Sequence, residues 1–90
     1  MAITVEFFGI PRVRAGLERV ELHLDGSAKL SEVLQQLAQR VPSFAESCMN
    51  ESGLGDHCIA SIDGEQFVRD DDVLIEDQRT VFILSADAGG

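Results

Sequence analysis

Tryptophan and tyrosine are absent from this 90-residue chain, and cysteine and proline occur only twice each. Basic residues are also scarce. Seven lysines and arginines face sixteen aspartates and glutamates, a formal net charge of -9. A nucleic-acid partner is therefore not expected, because no basic footprint exists to meet phosphates. The densest cationic group, Arg12, Arg14 and Arg19, is interrupted by Glu18 and Glu21. Without tryptophan or tyrosine, base stacking would fall to the five phenylalanines alone. The acidic balance fits either plain solubility or electrostatic steering toward basic partners.

Long apolar runs are missing too. Nothing approaches the ~18 consecutive apolar residues of a membrane span, so no membrane partner is expected. The first residues, Met1-Ala2-Ile3-Thr4-Val5-Glu6, lack a basic segment and already alternate like a strand. That argues against a secretory leader and makes the cytoplasm the expected compartment.

Cys48 and Cys58 are too few for a four-thiolate zinc centre, and their spacing is not that of a metal knuckle. A disulfide between them is disfavoured in a reducing compartment. His57 precedes Cys58, but adjacency in sequence does not align a nucleophile with a base. Asp70, Asp71 and Asp72 offer either a solvated turn boundary or a magnesium site. Consecutive carboxylates do not converge on a cation by themselves. Neither a metal site nor a stably bound cofactor is expected.

What is present reads as one small domain. Hydrophobic residues make up 44% of the chain, enough for a modest core. Over residues 2–8, Ile3, Val5 and Phe7 share a face opposite Thr4 and Glu6, the period of a strand. Residues 9–17, with Gly9, Pro11 and Gly16, read as a hairpin loop. Residues 18–24 return with Val20, Leu22 and Leu24 on one face. After the turn signal Asp25-Gly26 the period changes to 3.6. Leu30, Val33, Leu34, Leu37 and Val41 form a stripe, predicting a helix over 30–41 that Pro42 ends. Ser27 and Ser31 are its candidate caps, and Lys29 is a poor one.

Between 43 and 57 periodicity fades, and Phe44, Met49 and Leu54 read as anchors in a short helix or loop. Cys58–Ile62 reads as a strand, Asp63-Gly64 as a tight turn and residues 65–68 as its return. Residues 80–84 form the last strand. Val81 and Ile83 face one way, Phe82 and Leu84 the other. The second pair either covers more core or forms a partner surface. The expected class is α+β, a mixed sheet of four or five strands covered by one main helix.

Behind the last strand, residues 86–90 read as a tail ending in Gly89-Gly90. Glycine lacks a Cβ and can enter a narrow channel. A carboxylate on such a stem could be delivered to another protein's active site, or the segment is simply a frayed end.

Phe7-Phe8-Gly9-Ile10-Pro11-Arg12-Val13-Arg14-Ala15-Gly16 resembles the first strand and following loop of the ubiquitin-like sulfur carriers. That superfamily includes the small subunit of molybdopterin synthase and the thiamine-pathway carrier. The helix ending Leu37-Ala38-Gln39-Arg40-Val41-Pro42, the turn Ile62-Asp63-Gly64-Glu65, and Val81-Phe82-Ile83-Leu84 followed by Gly89-Gly90 are similar to theirs in the same order.

The resemblance implies a β-grasp domain over 1–85 and a flexible diglycine tail over 86–90. It implies that an ATP-dependent, magnesium-using enzyme of the E1-like adenylating type activates the carboxylate of Gly90. A sulfur donor would then convert it to a thiocarboxylate. Gly89 and Ala88 would keep the stem narrow, and Phe8, Phe82 and Leu84 would contact partners. The chain would be a protein co-substrate or the non-catalytic small subunit of a synthase, rather than an enzyme alone. Molybdenum-cofactor biosynthesis, with the molybdopterin synthase large subunit as recipient, is the leading expectation. Sulfur delivery to cysteine, thiamine, transfer-RNA or a specialised product is the alternative, as is a ubiquitin-like modifier or binding module. Tails of the family carry an aliphatic residue near the position of Asp87. Here a carboxylate stands there, and a dry channel would reject it unless Arg or Lys received it.

Overall fold

The computed structural model describes residues 1–51 and 53–86. Alternation in β1 (Ala2–Phe7) buries Ile3, Val5 and Phe7 and leaves Thr4 and Glu6 half-buried on the other face. The connection that follows is not the irregular loop its Gly and Pro suggest. Residues Ile10–Ala15 form a short helix, α1, with Pro11 in the first turn. Proline costs nothing there, because the first N–H groups of a helix have no intrahelical acceptor. Gly16 closes α1 in the left-handed region at φ 76°, donating its N–H to Arg12 O at 3.0 Å. β2 (Arg19–His23) then pairs antiparallel with β1, setting Ile3 opposite Leu22 and Val5 opposite Val20.

A two-residue strand, β3 (Ala28–Lys29), runs directly into the main helix α2 (Leu30–Arg40). Leu30, Val33, Leu34 and Leu37 are all buried, as the 3.6-residue stripe predicts. The N-cap is Lys29, not Ser27 or Ser31. Its side chain has no acceptor, so the opening turn is satisfied by other groups. Glu32 Oε1 accepts the Lys29 backbone N–H at 3.0 Å. The N–H groups of Leu30 and Ser31 donate to Val73 O and Asp71 O at 2.9 and 3.0 Å. The acidic run thus closes over the helix start.

Val41 ends α2 at φ -132° and ψ 73°, outside the helical region that a following proline disfavours. Pro42 then opens a second helix, α3 (Pro42–Cys48), whose Phe44 packs on Phe7 with ring centroids 5.0 Å apart. β4 (Met49–Asn50) and β5 (Gly53–Leu54) form a small antiparallel pair. β6 (Cys58–Ile62) and β7 (Gln66–Val68) form the expected hairpin, β8 (Leu74–Ile75) pairs with β3, and β9 (Thr80–Ser85) closes the fold.

The main sheet has five strands in the order β2-β1-β9-β6-β7. β9 lies at its centre, parallel to β1 and antiparallel to β6. α2 covers one face, where Ile3, Val5, Phe7, Leu22, Ala60, Val81 and Ile83 are buried. Each large apolar side chain among them contributes roughly 1.5–3 kcal/mol of burial before entropy is counted. The architecture is an α+β β-grasp.

Candidate functional site

The start of β9 is clamped. Asp63 N–H donates to Thr80 O at 2.7 Å, and Thr80 N–H donates to Asp63 Oδ1 at 2.9 Å. Arg79 Nη1 donates to Asp63 Oδ2 at 2.8 Å and Nη2 to Glu76 Oε2 at 3.2 Å. The Thr80 N–H, followed by Arg79, holds the Asp63 carboxyl below its ordinary range. Both Asp63 (φ 56°) and Gly64 (φ 74°) are left-handed, which the Asp-Gly pair tolerates in a tight hairpin turn. A Cβ on Gly64 would lie 2.8 Å from Cε2 of Phe82, so the turn also seats that ring.

Paired residues in a sheet point to the same side. Across the face that α2 does not cover, Glu6, Phe82, Ser61 and Phe67 therefore stand in one row. Leu84 stands opposite Ile59 in the next. Phe8 follows the Phe7–Ile83 pair, and its ring meets that of Phe82 edge-on with centroids 5.3 Å apart. Phe8 is 40% exposed and Phe67 66% exposed, while Phe82, Leu84 and Ile59 are half-buried. The structure brings Phe8, Phe82 and Leu84 together on one apolar surface. Ile59 and Phe67 join them. Apolar residues on both sides of the 58–62 strand are the sequence signal for Ile59, whereas Phe67 needs the strand register. Ala88, Gly89 and Gly90 lie outside the described residues.

The other end of β9 reaches a second feature. Phe8 N–H donates to Ile83 O at 3.0 Å, and Ala86 N–H donates to His57 O at 2.7 Å. Beside this end lies a cavity of about 480 Å³ lined by Ile10, Pro11, Arg14, Ser47, Cys48, Gly55, His57, Cys58 and Ser85. Cys48 and Cys58 are free, buried thiols. Burial, and then the neighbouring Cys48, push the Cys58 thiol up to about 12. It stays protonated at neutral pH, the opposite of an activated nucleophile.

Among the described residues, no cluster of three or more His, Cys, Asp or Glu side chains is set to hold a metal ion. In the acidic run, Asp70 Oδ1 accepts the Asp72 N–H at 2.9 Å and Asp72 faces Lys29 Nζ at 3.8 Å. No described helix is long and apolar enough to cross a membrane.

The fold is shared with several solved structures. SAMP1 of Haloferax volcanii, a small archaeal modifier protein, superposes with a TM-score of 0.83 at 20% identity, covering 100% of both chains. A chain of the BexX/CysO complex of Amycolatopsis orientalis gives 0.72 at 24% identity, covering 98% of this chain and 99% of that one. A chain of the complex between subunits 1 and 2 of the molybdopterin-converting factor of Helicobacter pylori gives 0.67 at 17% identity, covering 100% of both. No protein-family model matches the sequence, and no curated protein sequence does. At these identities the likeness shows the ubiquitin-like β-grasp fold.

Proposed function

We propose that the chain is a ubiquitin-like sulfur carrier, a protein substrate whose Gly90 carboxylate is activated by an adenylating enzyme and converted to a thiocarboxylate. The observation that carries this reading is the placement of β9. The central strand is clamped at one end by Asp63 and leads at the other toward Ala88-Gly89-Gly90, past an apolar face left uncovered. In this reading Phe8, Phe82 and Leu84 are the docking contacts, and residues 86–90 are the segment handed to the partner.

The chemistry asks little of the carrier. The carboxylate oxygen of Gly90 attacks the α-phosphorus of magnesium-bound ATP on the activating enzyme and pyrophosphate leaves. Hydrosulfide released by the donor then attacks the acyl carbon, AMP leaves and the S–H proton passes to water, giving the thiocarboxylate. The acid–base groups and the metal belong to the partner, in keeping with a Cys58 held as the neutral thiol.

The recipient is drawn more widely than molybdopterin synthesis. Structures named for a modifier protein, for a BexX/CysO complex and for a molybdopterin-converting factor resemble this chain alike. The reading is therefore of a carrier for a sulfur-accepting enzyme. The molybdopterin synthase large subunit is one candidate beside enzymes making other sulfur-containing products. The likeness to SAMP1, at a TM-score of 0.83, favours a second reading, in which activated Gly90 forms an amide with a lysine of a target protein.

The test is intact-protein mass spectrometry after incubation with an activating enzyme, magnesium-ATP and a sulfur donor. The carrier reading expects an adenylate and then a mass gain of one sulfur-for-oxygen exchange at Gly90. Deletion of Gly90 and the β-branched Gly89→Val should both abolish it. Isopeptide conjugates without any thiocarboxylate would favour the modifier. Absence of adenylation would overturn both.

A further inference from the structure

We propose that the cavity beside the end of β9 is the docking site of the chain's own segment 87–90, with the carboxylate of Asp87 lying against Arg14 and His57. The proposal rests on reading that segment as the carrier's reactive tail, and it gives Asp87 a role that activation chemistry does not.

Position favours this occupant. Ser85, the last residue of β9, lines the cavity, and Ala86 is tied to its rim by the bond from its N–H to His57 O at 2.7 Å. Asp87 follows directly. Residues 87–90 span at most ~14 Å, a reach sufficient to enter the cavity beside Ala86. The side chains after Asp87 are a methyl group and two hydrogens. They suit a cavity of about 480 Å³ walled by Ile10, Pro11, Cys48 and Cys58.

Charge favours it too. Three other cavities each carry carboxylates: Asp63, Glu65 and Glu76 in one, Asp56 and Asp71 in the next, Glu51 and Asp71 in the last. The cavity at the end of β9 has none among its described lining residues, and instead presents Arg14 and His57. In a chain with sixteen acids and seven bases, that is where an acidic segment is least repelled. Among the described residues, Arg12 and Arg19 are engaged by Glu18 and Glu6, whereas Arg14 has no ion-pair partner. A charge that would be costly in an apolar partner channel is thus compensated at home. The docked state competes with the partner for the tail. The partner's apparent affinity falls by the fraction of chains in which the tail is free.

The experiment compares amide chemical shifts of the full chain, Asp87→Asn, Arg14→Gln and a chain stopped after Ala86. Docking predicts that truncation shifts the amides of Arg14, Ser47, Gly55 and Cys58, and that Asp87→Asn reproduces most of the change. Amides on the uncovered face, such as Phe67, stay in place. Arg14→Gln should shift the Asp87 and Ala88 amides in return. Changes confined to Ser85 and Ala86 would overturn docking. Shifts that grow with protein concentration would overturn it too, by making a second copy the occupant.

Adenylation is measured on the same samples. Asp87→Asn should lower the KM for the carrier by about threefold or more, through release of the docked fraction. Adenylation without cavity shifts would remove docking and leave the carrier reading standing. Cavity shifts without adenylation would do the reverse.

Discussion

The two faces of the sheet carry similar sequence and meet different fates. Along β9, Val81 and Ile83 are fully buried under α2, while Phe82 and Leu84, of comparable hydrophobicity, lie half-buried on the other side. On the covered face the partner is in the same chain, the stripe Leu30, Val33, Leu34 and Leu37. On the uncovered face Phe8, Phe67 and Ile59 extend the apolar surface. The difference separates residues that make the fold from residues that the fold presents.

Substitutions can break that contrast. The largest effect should come from Leu34→Asp on the covered side. Leu34 is 2% exposed, and a carboxylate there has no partner. A loss of at least ~3 kcal/mol in denaturant unfolding is expected. An unchanged midpoint would mean that α2 does not pack as described.

The covered side also governs thiol chemistry. Cys58 lies on the same side of β6 as buried Ala60, and its thiol is raised to about 12. For an acid raised this way, the native state favours the protonated form. Stability is therefore full below the ordinary thiol range and declines as pH rises through the folded value. Alkylation at pH 8 should be slower than in the unfolded chain by a factor on the order of 100 or more, since the thiolate is the reactive species. Equal rates in native and unfolded protein would contradict the burial.

On the uncovered face, the paired change Phe82→Ser with Leu84→Ser should cost less. About 1 kcal/mol for each half-buried side chain is expected, with a cooperative transition retained. Collapse of the fold would make this face core rather than presentation surface. Gly64→Ala sharpens the comparison further. It adds a Cβ at φ 74° and 2.8 Å from the Phe82 ring, so it should cost about 1–2 kcal/mol and shift the ring resonances of Phe82 and Phe8. Unmoved resonances would show that the turn does not seat the ring.

Much of the covered side is legible in the amino-acid sequence alone. Period-two alternation at Ile3, Val5 and Phe7, and again at Val20, Leu22 and Leu24, marks the outer hairpin. The stripe from Leu30 to Val41 marks α2, which the structure ends one residue earlier, at Arg40. These signals are strong because burial on one side imposes a repeat on the sequence.

Features without a repeat are harder to read. α1 spans only six residues between Gly9 and Gly16, and Pro11 disguises it as a loop. The two-residue strands β3 and β8 are too short to alternate, and the cap at Lys29 depends on carbonyls from residues about forty positions away. Phe8, Phe82 and Leu84 are recognisable as candidates from the pattern, but Phe67 joins them only through register. The cavity is assembled from residues between 10 and 85, a juxtaposition that no local pattern announces.

One activating enzyme should read the uncovered face and the Gly89-Gly90 segment together. The most direct measurement is ATP–pyrophosphate exchange catalysed by that enzyme, with wild type and the folded Phe82→Ser, Leu84→Ser variant as carriers. Wild type should support exchange, and the variant should need at least about tenfold more carrier for the same rate, as expected when anchoring side chains leave an interface. Identical exchange curves for the two would contradict that joint recognition.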